Sequence, residues 1–401
     1  MAGKAVNAMR PDKLAIFLSG LVISFPSAVS GAQWYSESQA SLRSVYDDNI
    51  RLTNRDHNAI VGMVLAGSIK AGRRSETSNV NLKGGITSRT YSGEDGQDTN
   101  DFDFGIDATH RTERDRFTVS AAVKLDSTLT SEIQSSGLMH DRKRRIKKNF
   151  ALAWTHSLSE RTSLKLGYSH TNTKYRSARN TGLSNYTYQV VDVMLSYSLS
   201  DKTSVYTSLA SSLYKGSNRT KTEVRDLGVT VGVDHKFSET FSAGMGGGIR
   251  YAETEHKIFN VNNDSNDTGF LLTANIKRSF EQTTMRGSLS RSVQPSGSGA
   301  LLVTDNLSAE VDYQVDERLS LHLASKIYRN SSTDEDDESH DRVYFSIQPK
   351  VRWKIKRWWL IEGSYRYRRQ RYDSTGQAAD SNAIFVFARY IWPSKPTAGL
   401  W

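Results

Sequence analysis

The charged residues that recur on one side of alternating apolar-polar segments are the residues of this chain best suited to act on a solute. Phe117, Val119 and Leu125 alternate with Thr118 and Lys124, so one side of that segment is apolar and the other polar. If the apolar side meets lipid, the polar side lines a water-filled interior, in which Arg and Lys favour anions. The predicted lumen-lining cations are Lys83, Arg89, Lys124, Lys165, Arg250, Lys277, Arg286, Lys326, Lys350, Arg352, Arg366, Arg368 and Arg389.

Acidic side chains share the same polar sides, so the two signs are intermixed. Two interpretations therefore stay open: a modest cationic excess selects anions, or the charges pair across strands and merely solvate the wall. The acidic candidates are Asp103, Asp107, Asp126, Asp192, Asp226, Asp234, Glu310, Asp312 and Glu362.

No pattern in the sequence indicates a catalytic, metal or cofactor site. The 9 histidines are scattered, and the chain has no H-E-x-x-H, G-x-S-x-G or G-x-x-x-x-G-K motif. Because the chain has no cysteine, disulfides and thiolate chemistry are excluded. We predict no enzyme, no metal and no cofactor, with a Ser/His pair assembled across strands, as in barrel lipid hydrolases, as the alternative.

Long strands must position these residues, and about 18 alternating segments between Gln33 and Trp392 supply them. Tight connections such as 199–202 alternate with long polar ones such as 260–267. This alternation is typical of short periplasmic turns and longer extracellular loops. We predict an all-β fold, a transmembrane antiparallel up-and-down β-barrel of 16–18 strands, whose first segment runs near 41–53 and meets a short outer loop at 53–57.

Composition limits the alternatives. The chain has 401 residues, 53 Lys+Arg and 43 Asp+Glu, and a mean hydropathy of −0.55 with no long apolar run after the N-terminus argues against helical spans. A soluble sandwich or propeller is the alternative, although it has no need of such long strands. Aromatic residues near segment ends favour interfacial girdles: Phe150, Trp154, Tyr168, Tyr197, Tyr214, Tyr251, Tyr313, Trp353, Trp358, Trp359, Tyr365, Tyr367, Tyr390 and Trp392.

The N-terminus indicates export. Basic residues precede an apolar run from Leu14 to Ile23, and the small residues Ser30 and Ala32 come before Gln33, as in a cleaved secretory signal. We divide the chain into a signal peptide at 1–32, a barrel at 33–392 and a short tail at 393–401. An even strand number then leaves both termini in the periplasm, with the barrel integral to a bacterial outer membrane.

Three further features stand out. The densest basic patch is either a stripe for an anionic polymer or an upper rim that meets lipopolysaccharide phosphates; its members are Lys350, Arg352, Arg366, Arg368, Arg369 and Arg371. The basic run at 141–148 contacts lipopolysaccharide or is solvated, and the acidic run at 334–338 lacks calcium-loop spacing and is interpreted as a solvated loop. The glycines at 244 and 246–248 predict a thin wall that backbones or a plug approach closely.

Two stretches carry a resemblance to a known family. The segment Ser41–Thr53 contains Tyr46, Asp47, Asp48, Asn49, Ile50, Leu52 and Thr53. It resembles the opening strand of the putative outer-membrane β-barrel porin family often met beside exopolysaccharide biosynthesis genes. The segment Asn382–Trp392 is similar to the last strand recognised by the barrel assembly machinery, which makes Tyr390 and Trp392 the predicted assembly signal. The departure is the tail at 393–401, since many such proteins end on the strand.

We therefore expect a porin-like channel that passes or exports polysaccharide or other anionic or carbohydrate solutes. The exopolysaccharide role is what the resemblance implies. The expected partners are outer-membrane lipid and lipopolysaccharide, the barrel assembly machinery and polysaccharide export components, with no nucleic acid. The alternatives are a structural or surface-binding barrel without an open pore, and the barrel-embedded lipid hydrolase.

Overall fold

The strands of this protein close into one barrel. The computed structural model describes residues 32–93, 97–128, 143–176, 183–217, 221–258, 261–332, 341–373 and 376–392. Residues 1–31 of the predicted signal at 1–32, the start of the basic run at 141–142, the acidic run at 334–338 and the tail at 393–401 lie outside these residues. The described chain forms a single 18-stranded sheet.

The strands are β1 Gln33–Asp47, β2 Ile60–Arg74, β3 Ser78–Ser92, β4 Thr99–Arg111, β5 Asp115–Ser127, β6 Arg144–Ser157, β7 Thr162–Tyr175, β8 Asn185–Ser198, β9 Thr203–Ser217, β10 Lys221–Lys236, β11 Phe241–Ile258, β12 Val261–Ser279, β13 Thr283–Pro295, β14 Leu301–Gln314, β15 Leu319–Ser332, β16 Arg342–Lys356, β17 Trp359–Tyr372 and β18 Ala378–Trp392.

Each strand pairs antiparallel with its neighbours in sequence, and the first and last strands close the sheet. The β1–β18 register runs from Ser38 opposite Trp392 to Asp47 opposite Ala383. Closure satisfies the backbone groups that an open sheet edge would expose. The predicted antiparallel up-and-down barrel is confirmed. In the described ranges, no helix is long and apolar enough to span a membrane.

An apolar belt surrounds the barrel. Ile249, Met245 and Val61 are 73%, 62% and 59% exposed and belong to the outward side of their strands. Strands of 13 to 19 residues are tall enough to cross a hydrocarbon core when tilted. Near the end that carries the short turns, Tyr390 lies 5.0 Å from Trp359 and 4.9 Å from Trp392 between ring centroids. The exterior therefore fits a bilayer with an aromatic girdle.

Two strand boundaries differ from the sequence prediction. β1 ends at Asp47 rather than near Thr53, because residues 48–59 leave the wall and fold inward. β12 begins at Val261, so the predicted polar loop at 260–267 is largely a continuation of the β11–β12 hairpin. Both differences lie at the end opposite the short turns, where polar composition does not distinguish a loop from a strand that rises into water.

Candidate functional site in the barrel interior

The inner wall carries the charged side chains. On every strand the outward apolar residues alternate with inward polar ones, and all the cations that we predicted to line the lumen share the inward side. The predicted acidic residues share it as well. On β17, for example, Glu362, Arg366 and Arg368 point inward, whereas Ile361 and Tyr365 point outward.

Most of these cations have an acidic partner. Arg352 Nε lies 3.2 Å from Glu362 Oε2, and Arg286 Nη1 lies 2.7 Å from Asp312 Oδ2. Opposite charges facing each other across a strand pair compensate locally. The further pairs across neighbouring strands are Lys83 with Asp107, Arg89 with Asp101, Lys165 with Asp192, and Arg250 with Asp226 and Asp267. Lys124 pairs with Asp126 of its own strand, and Arg366 and Arg368 reach Asp47 two strands away.

A second set of cations is not compensated in this way. Within the described part of the chain, Lys277, Lys326, Lys350 and Arg389 have no ion pair, and neither has Arg43 on β1. Sequence reasoning missed Arg43. The available signal was its alternation with Leu42, which faces outward on β1. We call Arg43, Lys326, Lys350, Arg366 and Arg389, which lie on β15–β18 and β1, the basic wall.

Aromatic rings hold part of the basic wall in place. Arg366 lies 4.9 Å from the Phe385 ring centroid, and Arg43 lies 5.9 Å from Phe385 and 5.3 Å from Phe387. Arg389 continues the series at 5.2 Å from Phe387. Guanidinium groups stack on aromatic faces and keep their N–H donors at the edge of the plane. Guanidinium and phenyl groups therefore alternate down this side of the lumen.

Asp47 anchors the outer end of this series. Its Oδ2 atom accepts hydrogen bonds from Nη2 of Arg366 and Nη2 of Arg368, each at 3.0 Å. Its Oδ1 atom accepts one from Ser381 Oγ at 2.9 Å. Asp47 is 1% exposed, and Arg368 also donates to the Asn49 carbonyl at 3.2 Å. The Tyr46–Thr53 motif therefore begins at a buried ion-pair cluster.

The rest of that motif builds a first inward segment, residues 48–59. The Asn49 side-chain amide donates to the carbonyls of Thr53 at 2.8 Å and Asp380 at 2.9 Å. Leu52 has a φ of 52° and is fully buried against Tyr328 and Tyr344, which point inward from β15 and β16. Because these contacts belong to the inner wall, this segment narrows the barrel on the β15–β18 side, at the end opposite the short turns.

A second inward segment, residues 296–300, narrows the mouth from the facing side. Tyr214 Oη on β9 donates to the Ser296 carbonyl at 3.2 Å, and Ser184 N donates to the Gly297 carbonyl at 2.8 Å. β10, β11 and β12 separate β9 from β13 in the sheet, so this contact crosses the interior. Tyr214 is fully buried there, and its assignment to an interfacial girdle was wrong.

The densest basic patch of the sequence is divided by the wall. Arg366 and Arg368 point inward, whereas Arg369 and Arg371 point outward. Arg369 lies 3.8 Å from Asp380, and Arg371 lies 3.2 Å from Asp373. Consecutive residues of a strand face opposite sides. The stripe of six cations drawn from sequence therefore does not exist as one surface.

The glycine-rich stretch of β11 lies beside an inward tyrosine. A Cβ atom at Gly232 or Gly246 would overlap the Tyr206 ring or hydroxyl. Gly247, in contrast, points outward and would place a Cβ in open space, with no atom within 4 Å. The predicted close approach is thus made by a side chain of β9, and it fixes Tyr206 flat against the inner wall.

The remaining sequence candidates are the Ser/His pair, a metal site and the assembly signal. Ser78 Oγ lies 2.8 Å from His110 Nδ1 on the outward side of β3 and β4, so one Ser/His contact does form across strands. Among the described residues, no cluster of acidic and imidazole groups is arranged to hold a metal ion. Tyr390 and Trp392 face outward on β18 beside Trp359, at the end of the barrel that carries the short turns.

No protein-family model and no curated protein matches the sequence. Solved structures do show similarity. OccAB4 of Acinetobacter baumannii aligns at 8% identity over 91% of this chain and 99% of its own, with a TM-score of 0.48. A BenF-like porin from Pseudomonas fluorescens Pf-5 aligns at 10% identity over 91% of this chain and 100% of its own, with a TM-score of 0.48. Pseudomonas aeruginosa OpdQ aligns at 13% identity over 92% of this chain and 98% of its own, with a TM-score of 0.46. The assignment of a membrane-spanning barrel rests on this chain's own strand pairing and apolar belt.

Proposed function

We propose that this protein is an outer-membrane channel that passes anionic solutes, with acidic carbohydrates as the solute class. The observation that carries the proposal is the basic wall, in which Arg43, Lys326, Lys350 and Arg389 have no ion pair among the described residues. On the facing side of the barrel, Asp192 and Asp226 are paired with Lys165 and Arg250, and only Asp234 of the three acidic residues there has no ion pair among the described residues. Unpaired positive charge gathered on one side of a lumen draws anions toward that side.

The chemistry of the wall supports oxyanions in particular. A guanidinium presents a planar fork of N–H donors that matches carboxylate, sulfate or phosphate groups. Stacking of Arg43 and Arg389 on Phe387 keeps these forks ordered, so less side-chain entropy is lost when an anion binds. An acidic sugar supplies both an oxyanion for the arginines and an apolar ring face for the aromatics. Exopolysaccharide passage, which the family resemblance implies, is the same chemistry extended to a polymer.

The first experiment asks whether the native protein is a closed channel. Unboiled and boiled samples from detergent-solubilised outer membranes should differ in mobility on a denaturing gel. Single-channel recording in a KCl gradient should then give a reversal potential of the sign for anion preference. Replacing Arg43, Lys350 and Arg389 by Gln should move that potential toward the cation side. The control, Arg369→Gln with Arg371→Gln, alters the outer surface and should leave it unchanged.

The recording also separates the alternatives. A heat-modifiable protein that gives no current in planar bilayers is a structural or surface-binding barrel, and the channel proposal is then wrong. The Ser78–His110 contact is the observation that favours a lipid hydrolase. Phospholipid turnover by the purified protein that disappears in Ser78→Ala would support that function; equal background turnover in both proteins would remove it.

A further inference from the structure

β12 and β13 separate part of the way up the barrel wall. β12 pairs with β11 along its whole length, from Val261 to Arg278. Its pairing with β13 covers Leu272–Ser279, ending at Leu272 opposite Arg291. Above that point β13 keeps its pairing with β14, from Ser292 to Pro295. Residues 261–271 of β12 therefore present an unpaired edge.

The upper end of the β13–β14 hairpin lies inside the barrel, against the inner wall. By alternation with Arg291, Val293 belongs to the outward side of β13, and Leu301 lies directly opposite Pro295. Yet Val293 and Leu301 pack into the buried cluster with Val224 and Ala252, which point inward from β10 and β11. Leu301 is fully buried in this arrangement. The outward side of the hairpin thus covers the inward side of β10 and β11.

The two strands could continue their pairing without a change of register. Extending the ladder upward places Leu271 opposite Ser292, Phe270 opposite Val293 and Gly269 opposite Gln294. Both members of each pair would face the same side, with Phe270 and Val293 outward. The ladder would stop at Pro295, which has no N–H to donate. The sequence therefore suits a second arrangement that the observed one does not use.

Each arrangement satisfies groups that the other leaves exposed. The observed one buries Leu301 and Tyr214 and makes the Tyr214–Ser296 hydrogen bond. It leaves the β12 edge without strand partners close to the apolar belt, where unpaired backbone groups are costly. The extended ladder would pair that edge and turn Val293 and Leu301 toward lipid. A few backbone hydrogen bonds would thus be exchanged for a few apolar contacts, and these contributions are of the same order of magnitude.

We propose that the upper β13–β14 hairpin is a two-position gate. In the inward position seen here, residues 296–300 lie across the mouth against Tyr214 and Ser184. In the outward position, β13 of the hairpin pairs with the free edge of β12, and the opening of the barrel at this end widens. The hinge lies at Arg291, which stacks 4.3 Å from the Phe270 ring centroid and lies 3.1 Å from Asp305. The change in conductance rests on the proposed channel function, whereas the movement itself does not.

Engineered disulfides test the movement, because the natural chain has no cysteine. Leu271→Cys with Ser292→Cys can form a disulfide in the outward position. Ser184→Cys with Gly299→Cys is the pair for the inward position, since a Cβ at Gly299 would lie 3.2 Å from that of Ser184. This spacing is slightly shorter than in an ordinary disulfide, and the φ of 96° at Gly299 strains any side chain placed there. Asn275→Cys with Ser288→Cys is the matched control, because these residues already face each other on β12 and β13.

Oxidation in native outer membranes should cross-link all three pairs, as read by gel mobility before and after reduction. The Leu271/Ser292 cross-link should raise the single-channel conductance above that of its reduced form, and reductant should reverse the change. The Ser184/Gly299 cross-link should abolish any wide substate, and the control should change neither. Tyr214→Phe, which removes the hydrogen bond to Ser296 without adding a cysteine, should increase the time spent in the wide substate.

Two results overturn the gate. One is a Leu271/Ser292 pair that stays reduced while the control pair oxidises in the same heat-modifiable protein. The other is a complete Leu271/Ser292 cross-link in a conducting channel with an unaltered conductance. If all variants cross-link as expected but none conducts, the hairpin moves as proposed and the channel function is what has failed.

Discussion

Asp47 on β1 and Arg368 on β17 are joined by a 3.0 Å hydrogen bond although β18 lies between their strands. The carboxylate reaches across Ser381 of β18, which donates to its other oxygen. Their side chains are 1% and 5% exposed. One ion pair thus connects three consecutive strands, holds the start of the first inward segment and supplies the counter-charge for two arginines.

Asp47→Asn should therefore destabilise the barrel at its outer end. Removing one partner of a buried ion pair leaves an uncompensated charge and costs about 3–5 kcal/mol. The temperature at which unboiled protein loses its fast gel mobility should fall, and proteolysis within residues 48–59 should increase. Asp380→Asn is the control, because Asp380 faces outward and lies 3.8 Å from Arg369 with half of each side chain exposed. Equal melting of the two variants would contradict a structural role for the cluster.

Gly232→Val should destabilise the wall near Tyr206, because the new side chain would overlap the tyrosine ring. Overpacking of this kind costs about 1–3 kcal/mol. Gly247→Val, on neighbouring β11 but facing lipid with no atom within 4 Å of its Cβ position, should be neutral or stabilising, since β-branched residues suit strands. Urea titration of both proteins in lipid vesicles measures the difference. A loss of stability at Gly247 equal to that at Gly232 would exclude the steric explanation.

Trp392→Ala should lower the amount of protein that reaches the outer membrane. Trp392 ends β18, lies opposite Ser38 of β1 and contacts Tyr390 at 4.9 Å between ring centroids. The prediction places the assembly signal in β18, ahead of residues 393–401. Trp401→Ala is the comparison, because residue 401 is also a terminal aromatic residue. Quantitative immunoblots of outer-membrane fractions give the outcome, and a larger loss for Trp401→Ala would place the signal in the tail instead.

Asp316, in the turn between β14 and β15, should make a pH-dependent contribution to stability. Its carboxylate accepts backbone hydrogen bonds from Arg318 at 2.6 Å and Leu319 at 2.8 Å, and these bonds hold its pKa below the ordinary value. A lowered folded-state pKa stabilises above the unfolded pKa of about 3.9 and is lost as pH falls through the folded value. Wild type should exceed Asp316→Ala in urea resistance at pH 7, and the gap should narrow below about pH 4. A gap that stays the same below about pH 4 would contradict this prediction.

The barrel itself was predictable because its signal is local. Residues such as Val229 and Val231 face lipid, their neighbours Thr230 and Gly232 face inward, and this period of two is present in any short window of sequence. Turn lengths are local too, so the strand number and the antiparallel order followed from the sequence. The same alternation was enough to assign sides to the charged residues within each strand.

The functional details depended on contacts between distant parts of the chain. Nothing near Leu52 indicates that it packs against Tyr328 and Tyr344, since both lie almost three hundred residues further along. Tyr214 was assigned to the lipid interface because it is an aromatic residue near a strand end. The same position in a strand also allows an aromatic side chain to pack under a loop that folds inward, so the sequence does not distinguish the two. Arg369 was grouped with Arg368 because composition ignores which side of the strand each residue faces.

The seam of the barrel, where β1 pairs with β18, lies within the basic wall. Arg43 comes from the first strand, and the two rings that flank it, Phe385 and Phe387, come from the last. Arg43 and these rings are far apart in sequence, so they come together only when β18 pairs with β1. The contacts of Asp47 with Arg368 and Ser381 likewise require this pairing. Under the proposed function, anion selectivity would therefore appear only when β1 and β18 pair and complete the wall.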